Sequence, residues 1–109
     1  MSYFARMTVK KTEEEVKKYG DSSNDLRAAS RKHMDAANLS NANSSAAYGN
    51  QDLAGRDAHS DAAAHHGNAS DAYMRAAACT DDGDKEGASL NKKLGDHHAV
   101  EAVKCAGAM

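Results

Sequence analysis

Six histidines carry most of the chemical capacity of this 109-residue chain: His33, His59, His65, His66, His97 and His98. A neutral imidazole ligates transition metals, and three of them at about 2.0–2.1 Å suit zinc with a fourth position open to water. Water held in that position is polarised toward hydroxide, the starting point of metal-assisted hydrolysis. The usual helical ligand patterns are missing: there is no His-x-x-x-His pair, no Glu-x-x-His pair and no His-Glu-x-x-His motif. Any metal site must therefore be assembled between helices.

The elements that would assemble it are legible in the periodicity. Steps of three and four residues put His59, Ala62, His66, Ala69, Tyr73 and Ala76 on one stripe of a helix. An earlier stripe reads Leu26, Ala29, His33, Ala36 or Ala37, Ser40, Asn43 and Ala47. A later one reads Ala88, Leu94 or Gly95, His98, Ala102 and Cys105. Tyr48-Gly49-Asn50 and Thr80-Asp81-Asp82-Gly83-Asp84 supply the turn and cap chemistry between them. Short connections make neighbouring helices antiparallel. The expected fold is all-α: an antiparallel bundle of three long helices over residues 21–109, preceded by an arm and a short helix in residues 1–20. The capping box Thr12-Glu13-Glu14-Glu15 opens that short helix and Gly20 closes it. The whole chain reads as one domain.

In this register a turn near Tyr48 to Asn50 sets His33 across from His66. A turn at residues 80–84 sets His66 across from His98, and His59 across from Cys105. His33, His66 and His98 are thus the candidate metal ligands, with zinc as the metal and Asp35 or Asp71 as a nearby carboxylate. His65-His66 and His97-His98 are adjacent pairs, so one member of each is expected to face the axis. The commoner fate of such rings is burial as neutral imidazoles bonded to backbone or to a neighbouring helix, and the plain expectation is no cofactor. His59 and Cys105 would meet where the bundle frays, a poor place for a nucleophile and its base. Cys79 and Cys105 fall at opposite ends of their hairpin, roughly 30 Å apart at 1.5 Å per residue, which excludes a disulfide.

Two glycines, Gly55 and Gly67, interrupt the central helix and mark a kink or a close helix contact. The Asn- and Ser-rich stretch Asn38 to Ser45 favours local side-chain bonds and should be the weakest part of its helix. Large aliphatic side chains are few and Ile, Pro and Trp are absent. Burying one large aliphatic contributes roughly 1.5–3 kcal/mol and an Ala methyl far less. A core this thin is commonly completed by a partner, and self-association is about as expected as not.

The net charge of −2 excludes a strongly basic nucleic-acid binder. The charge is uneven: Arg6 to Lys32 carries a local +3 and His33 to Asp84 a local −6. Candidate partner-binding residues are therefore a basic edge, Lys10, Lys11, Lys17, Lys18, Arg31 and Lys32, and an acidic edge, Asp52, Asp57, Asp61 and Asp71. There is no Gly-rich phosphate loop, no dinucleotide fingerprint and no aromatic stacking platform. Asp81-Asp82-Gly83-Asp84 lacks the alternating acids and closing Glu of a calcium loop. The N-terminus has no signal-peptide core, and no window approaches the roughly 20 apolar residues of a membrane helix. A cytoplasmic protein with reduced cysteines is expected.

From His59 to Ala106 the chain resembles small Ala/His-rich helical proteins of bacteria and their phages. The residues that carry this are Ala62-Ala63-x-His65-His66, Ala69, Ala72-Tyr73, Ala76-Ala77, Gly83-Asp84, Ala88, His97-His98 and Ala102. The resemblance implies a helical hairpin and no activity. The expected function is that of a non-enzymatic helical protein that binds a protein partner through a helix face, as a regulator or inhibitor. A phage-encoded inhibitor of a host defence complex fits by analogy. The alternatives are a His-rich metal-binding bundle and an Ala-faced homo-oligomer.

Overall fold

Three side-chain oxygens start the three helices. Ser22 Oγ accepts the Asp25 N–H at 3.2 Å, Asp52 Oδ1 accepts the Gly55 N–H at 2.9 Å, and Asp84 Oδ1 accepts the Gly87 N–H at 2.9 Å. Each satisfies an amide that the helix itself leaves unpaired. The computed structural model describes residues 21–107. Within them the chain forms α1 (Ser23–Gly49), α2 (Leu53–Asp81) and α3 (Lys85–Gly107), with no strand. The expected arm and short helix, with Lys10, Lys11, Lys17 and Lys18, lie outside the described residues.

Both turns are tight. Gln51 takes a positive φ of 60° between α1 and α2, and the Asp52 N–H returns to Ala47 O at 2.8 Å. Gly83, at φ 75°, reverses the chain between α2 and α3, where the Asp84 N–H reaches Cys79 O at 2.8 Å. A left-handed residue is nearly free for Gly and costs a side-chained residue such as Gln51 something.

The central helix, α2, packs along its length against both neighbours, in a body 49 × 19 × 18 Å across. Its stripe is buried as the periodicity requires: His59, Ala62, His66, Ala69, Tyr73 and Ala76 are all inside. So are Leu26, Ala29, His33, Ala36, Ala37 and Ser40 of α1. The expected soft stretch of α1 is helical throughout. Ser44 Oγ donates to Arg56 O of α2 at 2.9 Å, so its hydroxyl joins the two helices.

In α3 the open choice between Leu94 and Gly95 falls to Gly95, which is buried while Leu94 is exposed. The reason is Tyr73. A Cβ at residue 95 would stand 2.8 Å from the Tyr73 ring, so only Gly lets α3 approach. The Tyr73 hydroxyl passes over this notch to donate to Asp96 Oδ1 at 2.6 Å. The close helix contact is therefore at Gly95. A Cβ at Gly67 would meet nothing within 4 Å, and one at Gly55 would meet the Asp52 carboxylate that caps α2.

Leu26, Ala29, Ala69, Tyr73, Ala76 and Ala77 form the apolar cluster at one end of the bundle. Polar contacts clasp that same end. Arg27 pairs with Asp81, and Lys92 bridges Asp21 at 3.3 Å and Asp96 at 3.5 Å. Among the described residues no helix is long and apolar enough to cross a membrane.

Candidate functional site

One layer across the bundle is built of imidazoles. Adjacent residues on a helix point about 100° apart, at 3.6 residues per turn. Because α2 lies between two neighbours, His66 faces α1 and His65 faces α3. His33 Nδ1 and His66 Nδ1 stand 2.8 Å apart, with ring centroids at 5.0 Å. His65 Nδ1 and His98 Nδ1 stand 3.0 Å apart, and His97 sets its ring edge-on to His98 at 5.3 Å.

The expected trio is thus divided. His33 and His66 meet as the register predicts, but His98 pairs with His65. The expectation that one member of His65-His66 faces the axis assumed a single common axis. A central helix has two inner faces, and both members are used.

The two pairs differ in their access to water. His33 and His66 are completely buried, and the outer nitrogen of each, Nε2, has no hydrogen-bond partner. The His33 ring also stacks on Tyr73 at 5.5 Å. Burial lowers His33 from 6.5 to about 4. Burial, with the His33 and His65 charges adding to it, lowers His66 to about 3. Both rings are therefore neutral at pH 7, one donating its Nδ1–H to the other's bare Nδ1. His65 and His98 are only part-buried, and none of their nitrogens is among the buried atoms without a partner. Burial also lowers His98, with Glu101 pulling the other way.

His59 is buried and its Nδ1 has no partner, so that nitrogen does not hold Cys105. Burial, followed by the Asp61 and Glu101 charges, raises the Cys105 thiol. A raised thiol is the reverse of what a nucleophile needs. Both cysteines are free.

The candidate charged edges are partly on the structure. Arg31 is exposed and Lys32 half-buried on α1. Asp57, Asp61 and Asp71 share the outer stripe of α2, all exposed. Asp52, also exposed, is spent on the helix cap. Sequence reasoning missed a different surface. Leu90, Leu94 and Val100 on α3 are 60%, 41% and 43% exposed, whereas Leu26 is 2% exposed. Their signal is present in the sequence, since Leu90 and Leu94 are one turn apart, but the same spacing is read as core when the partner helix is unknown.

Among the described residues no three His, Cys, Asp or Glu side chains converge, as placed, on one metal position. Comparison of the chain with protein-family models, with curated proteins and with solved structures finds no match.

Proposed function

We propose that this protein is a non-enzymatic helical binding protein, a regulator or inhibitor that docks on a protein partner through the outer face of α3. The observation that carries this reading is the placement of the large apolar side chains. The core is lined mainly by Ala, Ser and His, while Met34, Leu39, Met74, Leu90, Leu94 and Val100 stand outside. Leu90 and Leu94 occupy i and i+4 of one helix face. That is the spacing with which an amphipathic helix enters an apolar groove. The acidic stripe of α2 and Arg31 of α1 would contribute rim charge, which acts mainly on partner choice and association rate.

The test is a double substitution, Leu90→Ser with Leu94→Ser, in tagged protein used to capture its partner from the native host. Both side chains are exposed, so the helicity and melting temperature should be preserved while the complex is lost. Retention of the partner by the double variant, with loss on charge reversal at Asp57, Asp61 and Asp71, would move the interface to α2. Sedimentation of the purified protein identifies the remaining case. A dimer abolished by the same double substitution makes the partner a second copy of the chain.

A further inference from the structure

The interface between α2 and α3 brings one pair of imidazoles together and sets two carboxylates near its edge one helical turn along, independently of any docking on the outer face of α3. His65 of α2 faces His98 of α3. One turn along, in the same antiparallel register, Asp61 of α2 comes level with Glu101 of α3, and both carboxylates act on the Cys105 thiol. Glu101 also lies within electrostatic reach of His65, His97 and His98. We propose that His65, His98 and Glu101 bind a divalent transition metal of the zinc, cobalt or nickel class, with Asp61 or water in the fourth position.

Two features favour this pair of helices over the buried pair His33 and His66. In a hydrogen-bonded couple of neutral histidines one Nδ1 donates and the other accepts, so only one Nε2 carries a proton. Metal at both Nδ1 atoms puts a proton on both Nε2 atoms. At His33 and His66 that would strand two N–H groups in the core, since neither Nε2 has a partner. At the part-buried His65 and His98 no nitrogen is so enclosed. The outer pair also has carboxylates to offset a divalent charge.

The histidine pair itself needs little movement. Two ligands on tetrahedral zinc stand about 3.3 Å apart, against 3.0 Å between these nitrogens. Glu101 now accepts from Lys104 Nζ at 3.2 Å, and that lysine is 69% exposed. A solvent-exposed ion pair of this kind is weak and yields readily to a metal. The third ligand requires the Glu101 side chain to rotate off Lys104, and as the metal takes up both Nδ1 atoms the proton they share moves to the bare Nε2 of its own ring.

The experiment is calorimetric titration of zinc chloride into the full chain after chelator treatment and dialysis, with melting curves recorded with and without the metal. One zinc per chain and a raised melting temperature are expected. Cobalt should give the intense visible bands of a tetrahedral site. His65→Ala and His98→Ala should each weaken binding about tenfold or more, and Glu101→Gln less. His97→Ala, on an exposed ring, should leave it unchanged. Circular dichroism confirms that each variant is helical, which Ala at a helical position favours. Absence of zinc binding overturns the proposal. So does binding that survives His65→Ala and is lost in His66→Ala, which would place the metal at the buried pair.

Discussion

The buried couple of His33 and His66 makes the fold sensitive to acid. Both rings stay neutral in the folded protein down to about pH 4 and about pH 3 respectively. In the unfolded chain each takes a proton near pH 6.5. Between those values the unfolded chain binds more protons, so the stability present above pH 6.5 is lost as the pH falls. Each ring contributes about 1.4 kcal/mol per pH unit, and the two together about 2.7. Burial of His59 acts in the same direction. Urea midpoints measured with chelator present should drop steeply between pH 6.5 and 4.5. A flat profile there would mean that the rings are solvated. Of these contacts, His33 opposite His66 could be read from the sequence, because one turn position fixes their register. His65 opposite His98 could not, because it depends on α2 having a neighbour on each side, which periodicity along one helix does not report.

At the scale of elements, the turns between the helices were well marked by Gly49-Asn50 and by Gly83-Asp84, whose capping and turn chemistry is local. Which glycine mattered was not. Gly67 and Gly95 each sit inside a helix, and what separates them is whether a neighbouring helix carries an aromatic ring at that level. Gly67→Ala fills open space and should stabilise the protein by about 1 kcal/mol, the difference in helix propensity. Gly95→Ala drives a methyl against the Tyr73 ring and should destabilise it by about 1–3 kcal/mol, as overpacking does. Thermal unfolding of the two variants side by side checks both signs. The choice between Leu94 and Gly95 on α3 was left open for a related reason. Leu94 is the better core residue by hydropathy, but the space available beside Tyr73 admits no side chain at residue 95, and this rotates Leu94 outward.

For the molecule as a whole, stability is graded along the 49 Å axis. Leu26 and Tyr73, the large apolar side chains of the buried cluster, lie toward one end, with the Arg27–Asp81 and Lys92–Asp21 contacts. Beyond the histidine layer the buried apolar residues are alanines: Ala36, Ala37, Ala62, Ala63, Ala99 and Ala102. Alanine contacts contribute far less per residue than leucine or tyrosine contacts. Amide hydrogen exchange should therefore be faster in residues 36–62 than in residues 66–80, since local opening follows the density of buried apolar contact. Uniform protection along all three helices would contradict this. The composition had already indicated a thin core, and the placement of its few large residues at one end is what the chain order alone left open.

The two-histidine hydrogen bond in the core also has an isomeric consequence. A neutral couple joined through its Nδ1 atoms exists in two forms, one with the bridging proton on His33 and the other with it on His66. Moving only that proton would leave an imidazolate beside an imidazolium, so exchange between the neutral forms must also relocate a proton between the two Nε2 atoms. Both are sealed from water and have no partner to relay it. The folded protein is thus a pair of tautomers of the same chain, fixed when the core closes and exchanged only when it opens.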